Sequence, residues 1–128
     1  VMHRNTFIDS PRLLNADYST RVNPNLFFAG QITGVEGYIE SASSGLLAGI
    51  NAAKRLTGEE TIKLPETTML GALCTYISDE NVKNFQPMGA NFGIIKALDE
   101  KIKDKKLKYS KMSERSLEYL KNLVEEKI

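Results

Sequence analysis

The sequence predicts an α/β chain in which a short strand, a glycine turn and a helix are followed by a mainly helical extension. Three observations carry this reading. An apolar run, Leu26-Phe27-Phe28-Ala29, ends at Gly30; three glycines, Gly30, Gly34 and Gly37, follow closely; and apolar residues then recur at three- and four-residue spacing from Tyr38 to Leu56. In that order the free N–H groups of the helix's first turn point back at the glycines, a seat for an electron-rich ligand. Residues 1–58 are expected to form the strand, turn and helix unit, and residues 59–128 the helical extension.

Each element has its own signal. Residues 1–25 are polar with scattered apolar positions, and Ser10-Pro11 and Asn23-Pro24 favour extended or turn geometry, so this stretch reads as loop with short extended pieces. Leu26 to Ala29 reads as a buried strand, because a glycine punctuates it. The helix from Tyr38 to Leu56 has Ile39, Ala42, Leu46, Ile50, Ala53 and Leu56 as its apolar stripe, Lys54 and Arg55 in its last turn, and Gly58 as its C-terminal cap. On one flank it carries Ser41, Gly45 and Gly49, and glycine inside a helix costs about 1 kcal/mol relative to alanine. That cost makes sense beneath a bulky cofactor or a closely crossing backbone.

Beyond a linker, Glu59 to Pro65, the run Thr68 to Ile77 reads as a second helix ended by Asp79 and Asn81. Asn84 to Gly93 is an aromatic, glycine-rich loop whose two phenylalanines need packing partners or a planar ligand. Ile94 to Ile102 is expected as a short helix. From Ser113 to Ile128, Leu117, Leu120, Leu123 and Val124 make the stripe of a surface helix.

Composition bounds the function. With 41% apolar and 26% charged residues and a net charge of +1, the chain is neither disordered nor a strongly basic nucleic-acid arm. Charge is nonetheless uneven: Lys96 to Lys111 holds seven lysines against Asp99, Glu100 and Asp104, enough to attract phosphate and equally typical of a solvated surface. The single cysteine, Cys74, lies on an apolar helix pattern; it reads as a structural core residue and fits a reducing, cytoplasmic setting. No apolar run reaches the roughly 18 to 20 residues of a membrane-spanning helix, so no membrane partner is expected. The opening Val1-Met2-His3-Arg4 has neither an initiator methionine at position 1 nor a basic-then-apolar leader, as expected of a piece of a longer polypeptide.

The glycine spacing, Gly30-xxx-Gly34-xx-Gly37, departs from the G-x-G-x-x-G dinucleotide fingerprint, which occurs nowhere in the chain. No catalytic residue or metal-ligating cluster emerges. His3 beside Arg4 and Asn5 is a candidate polar contact to folate or RNA, and Tyr38 is placed either to stack on a ring or to pack.

The stretch Phe28-Ala29-Gly30-Gln31-Ile32-Thr33-Gly34-Val35-Glu36-Gly37-Tyr38-Ile39-Glu40-Ser41-Ala42, continued by Gly45-Leu46-Leu47-Ala48-Gly49-Ile50-Asn51-Ala52, resembles the C-terminal flavin-contacting segment of the folate- and FAD-dependent tRNA (uracil-5-)-methyltransferases. His3-Arg4-Asn5-Thr6-Phe7-Ile8, Phe85-Gln86-Pro87-Met88 and Ala90-Asn91-Phe92-Gly93 share the resemblance. A related family, the glucose-inhibited-division-type tRNA uridine-modifying flavoproteins, is similar too; the Val35-Glu36 pair fits the methyltransferases better. The resemblance implies the C-terminal part of an FAD/NAD(P)-binding Rossmann-like domain. It also implies an enzyme that moves a methylene group from methylenetetrahydrofolate to C5 of a T-loop uridine in tRNA and uses FAD, reduced by NAD(P)H, to complete the methyl.

Under that resemblance Gly30, Gln31, Gly34, Val35, Glu36, Gly37 and Tyr38 are the flavin-side residues, with the backbone amides from Gly34 to Tyr38 as the contacts. Gln31 would lie near the ribityl chain, and Glu36 would have to point outward from an anionic flavin. His3, Arg4, Asn5, Lys101, Lys103, Lys105 and Lys106 are the candidates for substrate or tRNA. The family's FAD fingerprint and catalytic cysteines lie upstream, so the expected partners are tRNA and the remainder of the parent polypeptide, and the isolated segment is expected to be inactive. Self-association through an unpaired strand edge is a further expectation. The alternatives are a fragment of the wobble-uridine-modifying relative, or a non-catalytic RNA-binding module in which the lysines bind and the glycine turn only connects.

Overall fold

The computed structural model describes residues 6–127. Among the described residues four helices order the chain, α1 (Ser10–Leu13), α2 (Tyr38–Leu56), α3 (Met69–Ser78) and α4 (Lys105–Lys127), with one 3-10 turn, Gln31–Thr33, before α2. No named strand occurs among the described residues; three isolated bridges, Leu14 to Thr20, Ser19 to Phe27 and Val35 to Met88, take the place of a sheet. The mainly helical part of the predicted class therefore holds, and the predicted strand does not form. Leu26 is largely exposed and Phe27 to Ala29 are half-buried. Their backbone reaches the 18–20 turn, through Thr20 N to Leu26 O (2.8 Å) and Phe28 N to Tyr18 O (3.1 Å), and Leu26 N turns back to Asn23 O (3.0 Å). A strand needs neighbours on the sheet, and no named strand lies among the described residues to pair with it.

The principal core gathers Leu14, Tyr18, Val35, Leu47, Ile62, Leu64, Cys74, Ile77 and Phe85; a smaller cluster of Ala72, Ile95 and Met112 seats α3 against α4. Helix α2 has the predicted limits, and Gly58 adopts φ +75° just beyond its end, where Glu59 N bonds back to Lys54 O (2.8 Å). Its buried face is not the predicted stripe. Ser44, Leu47, Ala48 and Asn51 face inward, while Ile39 (79%), Leu46 (69%) and Leu56 (89%) stand in solvent.

Polar side chains explain the inversion. Ser44 Oγ accepts from Gly30 N (2.7 Å). Asn51 Nδ2 donates to the carbonyls of Asp17 (3.2 Å) and Ile62 (3.0 Å), and its Oδ1 accepts from Ile62 N (2.7 Å). Irregular loops bring buried backbone groups that need partners, and these two side chains supply them.

The other departures have similar causes. Pro11 enters the first turn of α1 instead of holding Ser10 extended, and Ser10 Oγ donates to Thr33 O (2.6 Å). Residues 94–102 do not coil into the expected helix, because Lys96 N donates to Glu66 O (2.8 Å) and the Arg115 guanidinium takes the carbonyls of Lys96 and Ala97. Helix α4 begins at Lys105, well before the expected Ser113, since Tyr109 and Met112 extend its packed face toward the N-terminus. Helix α3 runs almost as expected, its N-cap Thr68 accepting from Gly71 N (3.0 Å).

A buried charge secures the 15–20 turn. Tyr18 takes φ +73°, unusual for a side-chain-bearing residue, with its ring wholly buried. Asp17 beside it accepts from Ser19 N (3.0 Å), Ser19 Oγ (2.5 Å) and Thr61 Oγ1 (2.6 Å) and lies 3.4 Å from Arg55. Burial alone would push the Asp17 carboxyl up; the Ser19 and Thr61 hydrogen bonds and Arg55 outweigh it and hold the group below its ordinary value of 3.8. Cys74 is buried in the core as expected, and burial pushes its thiol up to about 11.

Two outcomes follow. Asp17→Ala should destabilise the chain by about 3 kcal/mol near neutral pH by stranding its donors. The Asp17 contribution is complete above pH 3.8 and lost as pH falls through the lower folded value, so urea titrations of variant and wild type should converge in acid. Cys74 should resist alkylation at pH 7 in the native state and react once urea unfolds the chain.

Candidate functional site

The glycine junction is built by backbone conformations that only glycine adopts without strain. Gly34 (φ +94°) closes the 3-10 turn and Gly37 (φ +113°) sits before the first residue of α2. A Cβ on Gly34 would run into the Phe85 ring, which packs directly beneath it. Phe85 is itself held by Phe7 (edge-on, 5.8 Å) and Tyr76 (5.5 Å), so it has little room to move.

The 85–93 loop is strapped to this junction. Glu36 N donates to Met88 O (2.9 Å), Met88 N to Gly34 O (2.8 Å), and Ala90 N to Glu40 Oε2 (3.2 Å). The aromatic loop therefore forms one wall of the junction, and both phenylalanines have packing partners, Phe92 stacking on Tyr109 at 4.2 Å. Sequence reading did not pair loop and turn. The signal was there in a glycine demanding empty space and an aromatic residue able to fill it, but nothing local links residues 51 positions apart.

The candidate flavin-side residues come together on this one turn with different exposure. Gly34 and Val35 are buried, Gly30 is half-buried, and Gln31, Glu36, Gly37 and Tyr38 are exposed. The amides of Gly30, Gly34 and Glu36 already have partners in Ser44, Gln31 and Met88. Exposed donors for a ligand therefore lie chiefly at Gly37 and Tyr38, at the start of α2, where no side chain caps the helix and the Glu40 carboxylate, bound by Ala90 N, lies close over Gly37. Tyr38 is 97% exposed among the described residues.

The neighbouring surface is open. A Cβ at Gly45 or Gly49 would touch nothing within 4 Å. Every α2 residue open to solvent (Tyr38, Ile39, Ala42, Gly45, Leu46, Gly49, Ala53, Leu56) is uncharged, the reverse of a water-facing helix. Between α2, α3 and α4 an apolar cleft of about 490 Å³ is lined by Ile39, Leu46, Leu70, Leu73, Leu117, Leu120 and Val124, among others. An uncapped helix start beside bare glycines and an exposed tyrosine suits the polar edge of a flavin.

The remaining candidates lie apart from the junction. Lys101, Lys103, Lys105 and Lys106 are exposed on the approach to α4 and its first turn. His3, Arg4 and Asn5 fall outside the described residues. Among the described residues no cluster of three or more His, Cys, Asp or Glu side chains could hold a metal, and no helix is long and apolar enough to cross a membrane.

Residues 1–60, which contain the junction and α2, match the family Glucose inhibited division protein A. The full chain is 55% identical over 128 residues to the methylenetetrahydrofolate--tRNA-(uracil-5-)-methyltransferase TrmFO of Natranaerobius thermophilus. It is 56% identical to that of Halalkalibacterium halodurans over 97% of the chain, and 60% identical to that of Streptococcus suis over 94%. The chain spans only 27 to 29% of the length of these relatives. A solved structure, GidA of Aquifex aeolicus, superposes on 53% of the chain and 11% of its own with a TM-score of 0.51 at 36% identity.

The junction yields a direct test. Gly34→Ala should cost about 3 kcal/mol, from the left-handed backbone and the displaced Phe85 ring, as read by thermal unfolding. Gly34→Ala combined with Phe85→Leu should recover the steric share alone.

Proposed function

We propose that this chain, related over its whole length to the methylenetetrahydrofolate--tRNA-(uracil-5-)-methyltransferases and over residues 1–60 to the Glucose inhibited division protein A family, is the C-terminal part of a flavoenzyme that methylates C5 of a T-loop uridine in tRNA. The observation that carries the reading is the identity to the methyltransferases, which runs through junction, loop and extension alike and exceeds that to the GidA structure. The second reading, a fragment of the wobble-uridine-modifying relative, is favoured by the family match and by the likeness to the GidA structure.

In this reading the chain closes one side of an FAD site in a Rossmann-like domain whose sheet is completed by the rest of the parent polypeptide. The Leu26 to Ala29 segment is then an edge waiting for its neighbours. FAD, when bound and reduced by NAD(P)H, supplies the electrons that turn a methylene from methylenetetrahydrofolate into the methyl group. This chain's own residues bind and orient. The Gly37 and Tyr38 amides at the head of α2 donate to the electron-rich edge of the flavin, Phe85 and the 85–93 strap hold those amides in place, and Tyr38 covers the ring. A charge at a helix start is worth about 0.3 to 1 kcal/mol in the open and more when enclosed, so the contact tunes the cofactor and does not by itself retain it. The segment alone should therefore bind FAD weakly and be inactive. The uncharged face of α2 supports the same reading, because it is made to be covered.

The full-length enzyme decides the matter. It should purify with FAD and methylate a T-loop uridine when given methylenetetrahydrofolate and NAD(P)H, and its deletion should abolish that modification and leave wobble uridines intact. Gly37→Val, which forbids the +113° backbone angle, should lower flavin occupancy about tenfold or more while far-ultraviolet circular dichroism stays unchanged.

A further inference from the structure

We propose that the basic surface of residues 96–111, across the approach to α4 and its first turns, is where the parent enzyme grips the sugar–phosphate backbone of its RNA substrate. This rests on the reading of the parent as a tRNA-modifying enzyme and adds where, and by which chemistry, the RNA is held.

The lysines are largely uncommitted, although Lys105 Nζ lies 5.6 Å from the centre of the Tyr109 ring. Lys101, Lys103, Lys105 and Lys106 are exposed, and among the described residues Lys111 alone of this run lies within ion-pair distance of a carboxylate, Glu100 at 2.9 Å. The backbone beneath them is held by other means. Arg115 binds the carbonyls of Lys96 and Ala97, Lys96 N is tied to Glu66, and Ile95 is buried against Ala72 and Met112.

Helix stability does not explain the charge. Lys105, Lys106 and Lys108 occupy the start of α4, with no acidic residue in its first turn, and Glu125 and Glu126 lie near its end. Both placements oppose the helix dipole, and the start is already served by Asp104, whose carboxylate accepts from Lys106 N. Positive charge gathered against local interest is relieved by a bound polyanion.

The chemistry favours phosphates over bases and RNA over a lipid surface. The run uses lysine, a flexible point charge, and its nearest arginine is spent on the fold, which suits sequence-independent backbone contact. A membrane-binding run would interleave several large exposed apolar residues, whereas here Ile102, between Lys101 and Lys103, is half-buried and Leu107, 47% exposed, is the single large one between residues 96 and 111. The surface is also tied to the junction. Phe92 stacks on Tyr109 of α4, and the same loop pairs Met88 with Val35, so RNA held on the lysines keeps a set register to the glycine turn.

The test uses the full-length enzyme carrying K101Q, K103Q, K105Q and K106Q together. Its KM for tRNA should rise about tenfold at physiological salt, and the log–log salt dependence of that KM should flatten by about two to three, with flavin content unchanged. The four arginine replacements should keep both near wild type. An active wild type whose KM and salt slope are matched by the glutamine variant overturns the proposal. So does a glutamine variant that loses binding to phosphatidylserine vesicles and keeps its KM for tRNA. A flavin-loaded wild type that methylates no tRNA overturns instead the functional reading beneath it.

Discussion

Helix α2 is held in place by hydrogen bonds from its polar side chains, and the rest of the structure depends on that choice. Ser44 and Asn51, both fully buried, bind backbone groups of Gly30, Asp17 and Ile62, three loops remote from one another in sequence. Leu47 and Ala48 fill the space between them. Because the inward face is satisfied in this way, the apolar stripe from Ile39 to Leu56 is free to point elsewhere. A helix that anchored itself through that stripe would turn its glycines into the core and present Ser44 and Asn51 to water, leaving buried loop amides unpaired at about 1 to 3 kcal/mol each.

The glycine junction inherits its position from this anchoring. Ser44 holds Gly30, the first of the three glycines, nearly two turns of helix beyond the start of α2, so the turn between Gly30 and Gly37 spans two points fixed by the same helix. Phe85 then fills the space that Gly34 leaves, and Met88 pairs with both neighbours of Val35. Substituents are missing where a ligand or a ring must come close, and hydrogen bonds are complete where the chain must stay still. Preorganisation of this kind lets a few backbone amides act as fixed dipoles without reorganising on binding.

What the sequence made legible divides along the same line. The limits of α2, the left-handed cap at Gly58 and the burial of Cys74 were readable because each is a local matter of periodicity, chirality or polarity. The buried face of α2 was not, because periodicity ranks residues by hydropathy and has no term for the loop amides that Ser44 and Asn51 serve. Leu26 to Ala29 carries a strand's composition without a strand's neighbours, and composition cannot report whether the neighbours are in the same chain. Residues 94–102 have enough apolar spacing for a helix, yet Arg115, far downstream, claims the carbonyls that a helix would need. The residues from Gly30 to Tyr38 were legible as a turn; which of their amides remain free depended on Met88, which no local rule connects to Glu36.

The two exposed surfaces of this chain ask for opposite surroundings, and that opposition organises the segment. The α2 face and the cleft shared with the later part of α4 are apolar, and gain free energy only when water leaves them. The 96–111 surface is rich in lysine, whose compact ammonium groups are strongly hydrated and bind phosphate by releasing its counterions. Placed together, each would spoil the other, since burying the lysines would strand charge and hydrating the leucines would forfeit their burial. Helix α4 keeps them apart along its own length, with basic first turns and Leu117, Leu120 and Val124 farther on. One rigid rod can thus meet a protein interior at one end and a polyanion at the other.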